Sequence, residues 1–135
     1  MDDARAIEIG RIVAAWDRFE WAPGMRAISY NGFARHIETV ARGVAPWHAF
    51  NAFWIDDAVP DLRDRPTQAA VLERIEKAVG GHVYLCPSAR PDVDADGQNV
   101  TVITWAVASL GVIWNGSRRE SRAEAIAAAV EELSR

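Results

Sequence analysis

The sequence predicts an α+β fold of the α/β sandwich type. An antiparallel sheet of about three or four strands from the C-terminal half packs with about four helices. Three observations carry this expectation. Apolar residues recur at helical spacing in four segments, the period becomes strand-like after Gly80-Gly81, and Ser121-Arg122-Ala123-Glu124 is a helix-start signature ahead of an apolar stripe.

The elements follow in chain order. From Asp3 to about Phe19, the residues Ile9, Ile12, Val13, Trp16 and Phe19 recur at spacings of three and four, which makes one helix face apolar. Ala22-Pro23-Gly24 ends that helix with turn chemistry. Met25 to Tyr30 reads as a short strand, and Phe33 to about Arg42 as a second helix with Phe33, Ile37 and Val40 aligned and Gly43 as its stop. A third helix is expected from about Thr67 to Val79, begun after Pro66 and closed by Gly80-Gly81, where a positive φ costs little. His82 to Cys86 and the β-branched run Val100 to Val107 read as strands. Gly111 to Trp114 reads as a further strand after a turn at Ala108-Ser109-Leu110, although one long bent strand fits the same residues. In the last helix Ser121 and Glu124 form a capping box, and Ile126, Val130 and Leu133 supply the buried stripe.

At 135 residues, with 50% hydrophobic and 25% charged, the composition is that of one globular domain, residues 1–135, able to bury a core. The opening MDDARAIEIGR has neither the basic nor the apolar region of a secretory signal, which points to the cytoplasm. Cys86 is the only cysteine, so an internal disulfide and a cysteine zinc cage are excluded. The net charge of −4 weighs against a nucleic-acid partner, because phosphate binding draws on clustered positive charge. Lys77 is the sole lysine, and the local basic cluster Arg118, Arg119 and Arg122 contains Glu120 and reads as a solvated connector. The uncharged run Val102 to Trp114 falls short of the roughly 20 apolar residues that a membrane-spanning helix needs.

Chemistry-bearing patterns are sparse. Asp92, Asp94 and Asp96 at alternate positions, followed by Gly97, resemble the opening half of an EF-hand loop. The position that should hold a bidentate glutamate is Ile103, and the flanks read as strands, so a solvated turn is the simpler expectation and weak calcium binding an alternative. Nucleophile elbows, phosphate loops, dinucleotide fingerprints and paired-histidine zinc helices are absent from the sequence. His36, His48 and His82 have no metal-ligand spacing, and no cofactor is expected.

The densest segment is Pro46 to Asp57, in which Trp47, His48, Phe50, Phe53, Trp54, Asp56 and Asp57 fall together. A helix would align Trp47, Phe50 and Trp54, whereas a strand would align Phe50, Ala52 and Trp54, and the sequence leaves both open. The rings suit either a core or a recognition surface, since tryptophan is enriched at interface hot spots. The functional expectation is a non-catalytic protein-binding module, such as an acidic inhibitor or immunity-type protein of bacterial or phage origin that blocks a larger partner with a basic surface. Pairing of two copies through the aromatic rings is a further expectation. The alternative is a small hydrolase-like enzyme with His48 as general base and Asp56 or Asp57 orienting it.

Overall fold

Asp2 starts the first helix. In the computed structural model, which describes residues 1–30, 35–40 and 58–135, the Asp2 carboxylate accepts from the Arg5 amide at 2.8 Å and α1 spans Asp3–Ala14. It buries Ala6, Ile9, Gly10 and Val13. The helix stops short of the expected Phe19. Trp16 N donates to Val13 O at 3.1 Å and Phe19 N to Trp16 O at 3.0 Å, so tight turns carry these rings onto the core after the helical ladder has ended. Trp16 is only 4% exposed.

The expected strand at Met25 to Tyr30 is present as β1, Arg26–Tyr30. The expected helix over Phe33 to Arg42 is not: Arg35–Thr39 is a strand, β2, paired antiparallel with β1 so that Ile28 faces Ile37. Met25 O accepts from Val40 N at 2.8 Å and Gly24 N donates to Val40 O at 2.9 Å, which extends the ladder. A strand suits the β-branched Ile37, Thr39 and Val40. Asn31-Gly32 in the sequence is a strong hairpin signal, and the chance helical spacing of Phe33, Ile37 and Val40 obscured it. A two-residue strand, β3 (Val59–Pro60), pairs on the other side of β1 and completes the order β2-β1-β3.

Helix α2, Arg65–Val79, confirms the third helical segment and starts two residues early because Asp64 caps it. The Asp64 carboxylate accepts from Thr67 N at 3.2 Å, and Gly80 closes the helix in the left-handed region at φ 75°. Glu76 then ties this end to the next strand, its Oε1 accepting from Val83 N at 3.0 Å and from His82 Nδ1 at 2.7 Å.

The C-terminal half forms the expected antiparallel sheet, in the order β4-β5-β6, from Val83–Val93, Asn99–Ser109 and Val112–Arg119. Leu110 and Gly111, at φ 53° and 78°, make the tight turn between the last two strands, slightly later than expected. The β5–β6 register shifts between Trp105 and Val107. The buried Ser117 hydroxyl repairs the gap by accepting from Val107 N at 2.8 Å and donating to Trp114 O at 2.6 Å.

Helix α3, Arg122–Leu133, packs on β5 and β6 and against α1 and α2. One cluster joins Ile9, Val13, Ala27, Ile75, Val107 and Ile126, so both sheets and the described helices share a core. The described residues hold three helices, fewer than the four expected. Ser121 Oγ accepts from Glu124 N at 3.1 Å, which is one half of the capping box. The Glu124 carboxylate is turned to Arg5 Nε, 3.5 Å away. Ser121→Ala should therefore cost about 1 kcal/mol and lower Tm by about 3–5 °C. An unchanged Tm would show that the cap contributes nothing.

Candidate functional site

Among the described residues the C-terminal sheet narrows to two strands beyond Trp105. The β4–β5 register continues from Pro87↔Trp105 out to Val93↔Asn99, while β6 reaches only as far as Arg119 opposite Trp105. Every residue from Pro87 to Thr101 is exposed, so this part is a ribbon that projects from the core. Side chains alternate across a strand, which puts Ala89, Pro91, Val93, Thr101 and Ile103 on the face that holds Val83 and Val107 in the core. That face carries apolar Ala89, Pro91, Val93 and Ile103 beside the polar Thr101 and Asn99, with Val93 58% and Ile103 51% exposed. Pro87 and Pro91 lie four apart on β4, the outer strand; proline has no N–H for a ladder, and such positions point away from β5.

The ribbon tip contains the acidic triplet. Asp94 Oδ1 accepts from the amides of Asp96 and Gln98, each at 2.9 Å, and Gly97 supplies φ 78°, so Asp94 builds the turn. Asp92 lies on β4 with its Oδ2 3.5 Å from Arg90 Nη1. The three carboxylates do not converge, and among the described residues no cluster of histidine, cysteine, aspartate and glutamate is arranged to hold a metal ion.

A second charged cluster sits where β1, β3 and α2 meet. Asp61 is fully buried and takes Arg63 Nε at 2.9 Å, Arg63 Nη2 at 3.0 Å and Arg26 Nε at 3.1 Å. Burial alone would raise its pKa, but the hydrogen bonds and charge of Arg63, with that of Arg26, overcome this and hold the carboxyl below the ordinary range. Arg63 also reaches Asp3 at 2.8 Å, and its own pKa is raised by the Asp61 hydrogen bond against the opposing effect of burial. Thr67 Oγ1 accepts from Arg26 N at 2.7 Å and donates to Asp64 Oδ2 at 2.7 Å. A perturbed carboxyl is a candidate for chemistry, yet this one is sealed from solvent and saturated by arginine donors. Its role is that of a structural latch.

Trp47, His48, Phe50, Phe53, Trp54, Asp56 and Asp57 lie outside the described residues. Of the other histidines, His82 is exposed, stacked on Tyr84 at 5.8 Å and paired with Glu76. Glu76 is held below its usual range by the Val83 amide first, with His82 contributing and burial opposing. A depression of about 420 Å³ between the ends of α1 and α3 is lined by Trp16, Arg18, Ala78 and Leu133 together with Ser134. The Ser134 hydroxyl donates to Val130 O at 2.8 Å.

No protein-family model matches the chain, and no curated protein or solved structure matches it. The class is set by the architecture alone: an α+β protein with two antiparallel sheets on a shared core and a projecting two-stranded arm. Among the described residues no helix is long and apolar enough to cross a membrane.

Proposed function

We propose that this chain is a non-catalytic protein-binding module of the cytoplasm, an inhibitor-type protein that engages a larger partner through the β4–β5 ribbon. One observation carries the reading: an arm exposed on both faces carries apolar Val93 and Ile103 on the side continuous with the core. Full burial of such a side chain is worth about 1.5–3 kcal/mol, and because Val93 and Ile103 are 58% and 51% exposed, a partner that covers them gains roughly half of that for each. The charges on the arm select the partner. Asp92, Asp94 and Asp96 against the single Arg90 make the tip acidic, which fits a basic surface and favours fast, salt-sensitive association. The aromatic stretch Trp47 to Trp54 belongs to the same reading as a second set of anchors.

The test pairs capture from cells of the source organism with reconstitution from purified components. The wild-type chain is expected to retain a basic partner and to form a defined complex with it. Val93→Ser with Ile103→Ser should weaken that complex at least about tenfold with little change in Tm, because both side chains are already solvated. Asp92→Asn with Asp96→Asn should slow association and flatten its salt dependence. Affinity and rate unchanged in both double variants would remove the ribbon from the interface.

A further inference from the structure

The β4–β5 ribbon carries opposite charge at its two ends. At its tip the exposed Asp92, Asp94 and Asp96 outnumber Arg90, and at its foot Arg118, Arg119 and Arg122 outnumber Glu120. Two of the foot arginines meet at Trp105. Arg119 stands directly opposite Trp105 in the β5–β6 register and so shares its face, and the Arg122 guanidinium carbon lies 4.9 Å from the centroid of the Trp105 ring. Trp105 is on the same face of β5 as Ile103 and Thr101, so the basic foot adjoins the side of the ribbon that bears Val93 and Ile103. Both arginines spend their hydrogen bonds on neutral groups. Arg119 Nη1 donates to the carbonyls of Gly116 at 3.0 Å and Arg118 at 2.7 Å, and Arg122 Nε donates to Gln68 Oε1 at 2.9 Å.

Acid at one end, base at the other and exposed apolar side chains between them make a self-complementary surface. We infer that two copies of this chain pair through this face, with their arms antiparallel about a two-fold axis at the row of Pro91 and Thr101. The row of Val93 and Asn99 in one copy then lies over the row of Ala89 and Ile103 in the other, and the same contact repeats on the far side of the axis. Each acidic tip comes to the other copy's Arg119 and Arg122. A parallel pairing would instead bring tip to tip and foot to foot, with like charges opposed.

The size of the contact sets its strength. From the row of Pro87 and Trp105 to the row of Val93 and Asn99 the arm runs six residues, about 20 Å at the usual rise per residue. One face of two strands over that length buries less than the roughly 1,200 Å² of a stable interface, so the pair is weak and exchanges rapidly. The two-fold closes it at two copies. Pairing occupies the face assigned above to a larger partner and competes with that partner, yet it needs no other protein and stands or falls without one.

The test is sedimentation equilibrium of the purified full chain from about 10 μM to about 2 mM. A monomer–dimer equilibrium with Kd of about 0.1–1 mM is expected, weakening as salt rises. Ile103→Ser should raise Kd about tenfold, because the two-fold counts the loss twice. Arg119→Glu and Asp96→Lys should each raise it about five- to tenfold, since each sets like charges together at both ends of the contact. An equimolar mixture of those two variants should pair within about threefold of wild type, because in the mixed dimer both ends are again attractive. All three positions are exposed, so the fold should persist, and thermal melting checks it. A wild-type chain still monomeric at the highest concentration, a Kd indifferent to Ile103→Ser, or a mixture no tighter than its components would overturn the inference. The first of these results would leave the ribbon to a larger partner and that reading intact.

Discussion

Asp61→Ala is expected to lower the free energy of unfolding by about 3–5 kcal/mol, a large share of the roughly 5–15 kcal/mol available to a domain. The cause is what remains after the carboxylate is gone. Arg63 and Arg26, 23% and 35% exposed, would keep their charges in a site shaped around an anion, and neither could withdraw fully into water. The loss would spread, because Arg26 belongs to β1 and the Asp61 amide donates to Arg26 O at 2.8 Å. The same carboxyl gives the molecule an acid limit. Its pKa is lower folded than unfolded, so its contribution is complete above the ordinary value of 3.8 and disappears as pH falls through the folded value. Urea unfolding across pH 2 to 7 should show wild-type stability falling below about pH 4 and the Asp61→Ala protein losing that part of the slope. Equal slopes would mean the latch does not couple to folding.

Gly10→Ala should destabilise the fold by about 1–3 kcal/mol, against the direction that helix propensity alone predicts. In an exposed helix the change would gain about 0.5–1 kcal/mol. Here α1 lies directly on β3, and an added Cβ would stand 2.5 Å from Pro60 O and 2.6 Å from Val59 Cγ2. A backbone carbonyl cannot swing aside as a flexible side chain can, so α1 must lift and loosen its seat in the core. The sign is the discriminating readout in chemical denaturation. A stabilised Gly10→Ala protein would show that α1 does not rest on that strand.

Elements written in local chemistry were legible in the sequence. Ser121 and Glu124 marked α3, and Pro66 with Gly80 bracketed α2 to within two residues at its start, the difference arising from Asp64 as cap. The C-terminal sheet followed from its β-branched residues. The length of β4 did not, because a strand solvated on both faces has no hydrophobic alternation, and Pro87 to Asp92 with two prolines has the composition of a loop. The sequence reads β2 as a helix because Phe33, Ile37 and Val40 fall at helical spacing, a reading that takes no account of the Asn31-Gly32 pair ahead of the strand. β3, at two residues, is too short to carry a period. The Asp61 latch joins residues 35 apart to Arg26, and Arg122 meets Gln68 across 54, distances over which a single sequence gives no pairing signal. The acidic triplet Asp92, Asp94 and Asp96 reads in the sequence as a solvated turn between strands, and Asp94 shapes that turn. Arg122 reads in the sequence as part of a wet connector, whereas its hydrogen bond to Gln68 and its stacking on Trp105 tie it to the fold.

Pro87 and Pro91 also govern how crowded copies of this chain behave. An eleven-residue outer strand with free amides would invite another molecule's strand to add on, and then another, toward a fibre. Two missing donors on the outward side interrupt that template at regular intervals. The arm can therefore keep oily side chains in the open at high concentration without polymerising.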